Sequence, residues 1–135
     1  MVKYLFLLSI AFAAMASTCK QARTDEGGNL PIHSKWKVVK TFASPGDASL
    51  IWNDYSGPAF YLGFDADGNF SSSQSIHRNK EFNRYKLVDD KRIHFYHTLH
   101  PDTVNLSFEI ADSKLKLYQQ CIEACGILLE PAKSK

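Results

Sequence analysis

The chain has 135 residues, of which 44% are hydrophobic and 13% are aromatic. Its 16 Lys and Arg residues nearly balance 14 Asp and Glu residues, so the formal net charge is only +2. A chain of this length forms one domain with one core, and a nearly neutral chain has no broad field to hold a polyanion. We therefore expect a single domain and no nucleic-acid partner.

The first residues of the chain have the pattern of a secretory signal. One positive charge at Lys3 is followed by an apolar run that starts at Tyr4 and ends in small residues. The run is too short to span a bilayer as a permanent helix. We predict that residues 1–18 are a signal peptide and that the protein is exported.

Two processing sites compete at the end of this segment. Cleavage after Ala16 fits the small-x-small rule, whereas residues 16–19 resemble a bacterial lipobox whose cysteine becomes the acylated N-terminus. If Cys19 is acylated, Cys121 and Cys125 remain as an even pair of thiols in an oxidising compartment. We predict lipidation at Cys19, and a location in the cell envelope, as an outer-membrane lipoprotein facing the periplasm or the exterior. Cleavage after Ala16 would instead give a secreted protein.

The remaining two cysteines lie four residues apart, between the last two predicted strands. A turn of this length allows their Cα atoms to approach within the ~7 Å that a disulfide requires. We predict a structural disulfide between Cys121 and Cys125. A redox-active pair is the alternative, but the spacing is not that of a Cys-x-x-Cys motif.

Residues 19–33 are polar, include Gly27 and Gly28, and have no hydrophobic periodicity, so we predict a flexible tether. The folded domain is expected to span residues 34–135. Within it, short alternating runs are separated by turn residues, as in antiparallel strands. The predicted strands are 35–42, 59–64, 69–76, 83–88, 92–99, 104–110, 114–119 and 126–131. The long loop at residues 44–58 is expected to form a lid or a short helix.

Eight sequential strands predict an all-β fold, an eight-stranded antiparallel up-and-down barrel. Closing the sheet removes edges that would otherwise pair with other chains, and the alternation places apolar residues on one face only. The interior of such a barrel is just wide enough to be filled by side chains or to hold one small ligand. The predicted interior residues are Trp36, Phe60, Leu62, Phe64, Phe70, Tyr85, Phe95 and Phe108.

The order and spacing of these elements resemble those of the lipocalin-like, calycin-type small lipoproteins of Bacteroidetes-type bacteria. The resemblance covers roughly residues 34–131. It includes Trp36 at the start of the first strand, an F-x-x-x-G-x-F run from Phe64, a Y-x-L-x-D-D hairpin from Tyr85 and an L-x-L pair from Leu115. Ser34 departs from the family pattern, which has glycine two residues before the tryptophan. The resemblance implies that the barrel binds or transports a small apolar molecule.

Three histidines in the run from Arg92 to His100, His94, His97 and His100, are candidate metal ligands. Residues three apart on a strand face opposite sides, so His94 and His97 are not expected to share a metal, and His100 lies in a turn. No metal or cofactor is expected. His97 shares the predicted inner face of Phe95 and Leu99, where it would donate a hydrogen bond to a ligand or, alternatively, to a neighbouring core group.

No catalytic motif is recognisable, so we do not expect an enzyme. The leading hypothesis is an envelope-anchored barrel that holds a small apolar or amphipathic ligand, with the loop around Trp52 and Tyr55 as a gate. Its predicted ligand-binding residues are Trp36, Phe60, Phe64, Tyr85, Phe95, His97 and Phe108. The alternative is a filled barrel that acts on a protein, as an inhibitor or as an accessory subunit of an envelope complex. Apolar residues in or beside the same loop, Ile51, Trp52, Tyr55 and Phe60, motivate this alternative.

Overall fold

The computed structural model describes residues 31–43, 51–119, 121 and 124–133. These residues form antiparallel β-strands and no helix, so none of them belongs to a helix that could cross a membrane. The strands are β1 Lys35–Ala43, β2 Asn53–Asp54, β3 Tyr61–Phe64, β4 Phe70–Ser72, β5 Arg84–Leu87, β6 Arg92–Tyr96, β7 Thr103–Ala111, β8 Lys114–Gln119 and β9 Cys125–Pro131.

The strands are ordered β4-β3-β1-β9-β8-β7-β6-β5 in one sheet, with β2 also paired to β1. Asp54 of β2 lies opposite Lys40, and Gly63 of β3 lies opposite Lys35. Strand β9 pairs with the other edge of β1. The short strands β2 and β3 therefore share one edge of β1 and act together as one interrupted strand. The sheet therefore has eight strand positions in up-and-down order, which confirms the predicted fold.

Two backbone hydrogen bonds join the outer strands, β4 and β5, into a nearly closed barrel. The amide of Phe70 donates to the carbonyl of Asn83 at 3.0 Å, and the amide of Tyr85 donates to the carbonyl of Gly68 at 3.0 Å. We call this junction the seam. Its few hydrogen bonds make it the weakest part of the barrel wall.

The apolar face of each strand points into one core. All eight predicted interior residues are buried there, with no more than 9% of their surface exposed. The β7 pattern follows the sequence alternation directly, since Val104, Leu106 and Phe108 are buried while the residues between them are exposed. Ile110 is only partly buried and packs at the edge of the same core.

The hairpin between β3 and β4 depends on a local hydrogen-bond network. Asp65 Oδ1 accepts hydrogen bonds from the amides of Asp67 and Asn69 at 2.9 and 2.8 Å. Gly68 has a φ of +80°, and a Cβ atom at this position would lie 3.1 Å from the carbonyl oxygen of Tyr85. Glycine is therefore needed for both the backbone conformation and the close approach of β5. The predicted tight turn is confirmed.

Two predicted strands are too long. The strand predicted at 69–76 ends at Ser72, as β4. The strand predicted at 92–99 ends at Tyr96, as β6, because the amide of His97 already bonds across the turn to the carbonyl of Asp102. Leu99 consequently lies in that turn with 83% of its surface exposed, so its predicted inward orientation is wrong.

The other boundary corrections concern the two long connections. In the predicted lid, residues 44–50 lie outside the described residues, and residues 51–58 contribute β2 instead of a helix. At the other end, Ile32 is buried and its carbonyl accepts a hydrogen bond from the Trp36 indole at 3.0 Å. The folded domain therefore begins before residue 34, inside the predicted tether. The predicted signal peptide and Cys19 lie outside the described residues.

Candidate functional site

Six of the seven predicted ligand-binding residues come together in the core. Trp36, Phe60, Phe64, Tyr85, Phe95 and Phe108 belong to one cluster of buried side chains. His97 lies apart from them, half-buried at the end of β6. Their contact with a ligand stays a prediction.

The centre of the barrel is filled by these side chains. The ring centroid of Phe95 lies 4.7 Å from that of Phe70, 6.1 Å from Phe64 and 6.0 Å from Phe82. A cavity that admits water exposes the side chains that line it, but Trp36 and Phe95 have 0% exposed surface. No water-sized space therefore adjoins these two rings, and a ligand between them would have to displace side chains.

One end of the barrel, which we call the tether end, is closed by residues that precede β1. The hydroxyl of Tyr85 donates to the carbonyl of Asp65 at 2.6 Å, and it also lies 2.8 Å from His33 Nδ1. Since a phenol has one hydrogen, His33 Nδ1 is the donor in the second contact. Burial, followed by the nearby Asp65 carboxylate, raises the pKa of Tyr85 above its usual value of 10.0, which keeps the phenol protonated.

The opposite end is covered by residues 73–83, which we call the flap. Ile76 and Phe82 of the flap are buried in the core. Gln119 at the end of β8 anchors the flap, since its Nε2 donates to the carbonyl of Ile76 at 2.7 Å. The flap reverses at residues 77–80, where Arg78 and Asn79 have φ values of 45° and 58°. Ile76 therefore acts as a plug for this end, which we call the flap end.

A groove of about 590 Å³ separates the two arms of the flap, and we call it the flap groove. Phe70 and Asn83, whose backbone amide and carbonyl are hydrogen-bonded at the seam, lie at the base of the groove. Its apolar floor is formed by Phe70, Ile76 and Phe82, and its rim is polar. His97 lines one side, with its ring centroid 4.4 Å from that of His100. This volume falls within the range typical of small-molecule sites.

The tip of the flap has a positive electrostatic character. The pKa of His77 is lowered from its usual 6.5, first by burial and then by the charges of Arg78 and Lys80. Lys80 is partly neutralised by Asp102, whose carboxylate lies 3.2 Å from the ammonium. A neutral His77 and an exposed Arg78 are thus the groups that the flap tip presents to solvent at neutral pH.

The third histidine considered as a metal ligand faces elsewhere. His94 Nδ1 lies 2.8 Å from the amide oxygen of Asn105 on the outer wall of the barrel. Within the part of the chain that the structure describes, no group of three or more His, Cys, Asp or Glu side chains could hold a metal ion.

The predicted gate residues pack against the barrel. The Trp52 ring lies 4.5 Å from Phe42 in an edge-to-face contact, and Tyr55 lies 6.3 Å from Phe60. Gln74 of the flap donates to the Tyr55 hydroxyl at 3.2 Å. Of the four apolar residues assigned to an interaction surface, only Ile51 is strongly exposed, at 64%. Phe60 is a core residue, so it adds nothing to an exposed surface.

The cysteine pair also lies at the flap end. The sulfur atoms of Cys121 and Cys125 are at bonding distance, and their Cα atoms are 6.0 Å apart, within the disulfide range. The bond closes the connection between β8 and β9 directly after Gln119, the residue that anchors the flap. It therefore restrains the strand end to which the Ile76 plug is attached.

The residues that seal the two ends were missed in the sequence. Ile32 lies in the predicted tether, Ile76 is the last residue of the strand predicted at 69–76, and Phe82 lies between two predicted strands, so none of them is among the predicted interior residues. Their residue type was the available signal, because Ile and Phe are among the residues most often fully buried.

No family model, curated protein or solved structure matches this chain.

Proposed function

We propose that this protein is an exported, filled β-barrel that binds another protein through its flap end. The observation that carries this proposal is the complete burial of Trp36 and Phe95, which leaves no water-sized space beside them. A barrel filled in this way offers partners only its outer surface and its ends. This favours the interaction module over the predicted ligand in the lumen, which stays a prediction.

The flap end has features that suit protein recognition. Leu99 is 83% exposed in the turn after β6, and Ile51 is 64% exposed just before β2. Exposed apolar side chains are typical of protein-binding surfaces. The flap tip adds the positive charge of Arg78 at the rim. A partner with an apolar segment and an acidic group would complement this surface.

The proposal places the barrel in the cell envelope. If Cys19 is acylated, the acyl chains hold the protein on a membrane without a spanning helix. Such a protein faces the periplasm or the exterior, where it would act as an inhibitor or an accessory subunit of an envelope complex. The disulfide at Cys121 and Cys125 is compatible with an oxidising compartment.

A second candidate is a small amphipathic molecule bound in the flap groove. The groove volume of about 590 Å³, its apolar floor and the half-buried His97 favour this candidate. It keeps the ligand class that the family resemblance implies, but it moves the site from the lumen to the flap end. Phe70 and His97 would contact the ligand.

Site-specific photo-crosslinking in the native envelope tests the main proposal. A photoreactive residue at position 99 is expected to give one discrete protein adduct. The same residue at position 109, an exposed site on the wall of β7, is the matched control and is expected to give none. No discrete adduct at position 99, or the same adducts at both positions, would contradict the proposal.

A chemical-shift titration tests the second candidate. Octanoic acid, below its aggregation concentration, is expected to shift the signals of Ile76, Phe82 and His97 in a saturable way. Replacement of Ser72 at the groove wall by Trp should abolish these shifts by filling the groove. Shifts that spread over the whole barrel surface, or that persist in Ser72→Trp, would refute a groove site.

A further inference from the structure

We propose that the barrel opens at the seam, and that the turn between β3 and β4, residues 65–69, is a latch that holds the seam closed. Such an opening would give a small molecule a route into the core while the other strands stay paired. It goes beyond the flap-end function, because it concerns the wall of the barrel and not its end.

The backbone junction at the seam is the smallest between neighbouring strands among the described residues. β3 and β4 pair through three residues of each strand, and β8 and β9 pair through five. At the seam, β4 and β5 share a single bridge between Asn69 and Arg84, with one hydrogen bond on each side of it. Beyond Phe70, the two arms of the flap are separated by the flap groove. Parting the seam therefore breaks fewer backbone hydrogen bonds than parting any longer ladder.

One polar side chain of β5 ties the outer face of the seam to the latch. Arg84 Nη2 donates to the carbonyl of Asp67 at 2.9 Å, and Arg84 Nη1 donates to the side-chain oxygen of Asn69. The Asn69 amide in turn donates to the Asp65 carboxylate at 2.6 Å. Arg84 is thus bonded to a turn whose shape depends on the same carboxylate.

The neighbouring residue of β5 ties the inner side of the seam to the latch. The hydroxyl of Tyr85 donates to the carbonyl of Asp65 at 2.6 Å. His33 Nδ1 donates to the same hydroxyl at 2.8 Å. His33 precedes β1, so these two hydrogen bonds connect three separate parts of the chain. The latch therefore carries most of the polar contacts that cross the seam.

The seam also divides the aromatic core into two groups. Phe64 and Phe70 belong to β3 and β4, whereas Tyr85 and Phe95 belong to β5 and β6. The ring centroids of Phe64 and Tyr85 are 5.0 Å apart, and those of Phe70 and Phe95 are 4.7 Å apart. Parting the seam would separate both pairs. Loss of these contacts opposes the opening, so the open form should be a minor population.

The closed barrel leaves no other described path to the centre. Trp36 and Phe95 have 0% exposed surface, so a molecule reaches them only when the wall or an end moves. Ile76 plugs the flap end, and the Tyr85 hydrogen bonds close the tether end. The seam joins few backbone groups and lies directly beside the Phe95 ring, which makes it the shortest route inward.

Native-state hydrogen exchange tests whether the seam opens by itself. The amides of Phe70 and Tyr85, which form the seam, should have protection factors at least about tenfold lower than that of Leu117 in β8. Arg84→Ala should lower the two seam values further and leave that of Leu117 unchanged. The matched control is Lys86→Ala, an exposed position on the same strand, which should leave all three unchanged. Equal protection of the seam and β8, or equal effects of the two substitutions, would contradict the proposal.

A reversible lock across the seam tests whether it is the route into the core. Asn69 and Arg84 face each other in a non-hydrogen-bonded pair, where Cβ atoms lie about 4.5–5.5 Å apart, close enough for a disulfide after a small adjustment. Cysteines at both positions are combined with Phe95→Ala, whose cavity should bind benzene. All chains carry Cys19→Ser, which removes the third native thiol.

The association rate of benzene is measured by NMR exchange spectroscopy with the engineered disulfide oxidised and reduced. Oxidation should slow association at least about tenfold, and reduction should restore it. Phe95→Ala with Asn69 and Arg84 intact is the matched control, because reduction also opens the native disulfide; its rate should not depend on the reductant. Entry of benzene at the same rate through the oxidised and reduced seam would overturn the proposal.

Discussion

Replacing Phe95 by alanine tests whether the barrel interior is filled. Phe95 has 0% exposed surface, and its ring contacts Phe64, Phe70 and Phe82 from different parts of the wall. Substitutions of this kind in a packed core cost about 3–5 kcal/mol, from lost burial and from the cavity left behind. We expect a cost towards the upper end of this range, because Phe64 and Phe70 are held by β3 and β4 and cannot collapse into the space.

The free energy of unfolding is measured by urea denaturation of the wild type and of Phe95→Ala. The matched control is Tyr96→Ala, on the same strand but half-buried on the outer face, which should cost clearly less. The new cavity is apolar, so it should stay dry and bind benzene. Benzene is therefore expected to raise the stability of Phe95→Ala and to leave that of the wild type unchanged.

Two results would refute this reasoning. A loss below about 1 kcal/mol for Phe95→Ala would mean that the ring is not packed in a filled core. Stabilisation of the wild type by benzene would mean that the native barrel already contains an apolar cavity, as the lumen-binding hypothesis requires.

Three further predictions concern the barrel ends and the turns. Trp36→Phe removes the indole hydrogen bond to the carbonyl of Ile32, which keeps its second hydrogen bond from the amide of Ser34, and should lower the free energy of unfolding by about 0.5–1.5 kcal/mol from the lost bond; an unchanged urea midpoint would contradict this. Hydrogen bonds from Asn69, followed by that from Asp67, lower the pKa of Asp65 below its usual 3.8, so its charge stabilises the fold above that pH. The stability advantage over Asp65→Asn should therefore be present at neutral pH and disappear as the pH falls through the lowered pKa, and an advantage that does not change with pH would argue against it. Replacing both Cys121 and Cys125 by serine should cost about 2 kcal/mol, the loop-entropy value for so short a loop, and should speed hydrogen exchange in the flap; exchange that changes equally throughout the barrel would exclude a local role.

The fold was predictable because an antiparallel barrel repeats one rule in every strand. Apolar and polar residues alternate clearly in β7 and β8, and the turn between β3 and β4 contains a glycine at its positive-φ position. Strand ends were less predictable. In the sequence, the alternation of apolar and polar residues in β6 continues to Leu99. The hydrogen bond between the amide of His97 and the carbonyl of Asp102 ends the strand earlier.

The closed ends could not be read from periodicity. Ile76 and Phe82 are buried through tertiary contacts that span the barrel mouth, and each depends on a chain reversal that local sequence does not specify. Gln119 anchors the flap from 43 positions away along the chain. The eight predicted interior residues are therefore buried as expected, while the sequence pattern had no information on whether they leave space between them.

Diffraction from crystals of the wild-type protein under xenon pressure tests the filled interior most directly. Xenon occupies apolar cavities without a specific binding site. A filled barrel predicts no xenon between Trp36 and Phe95, and ordered xenon in the cavity created by Phe95→Ala. A xenon atom or a retained ligand between these rings in the wild type would contradict the account.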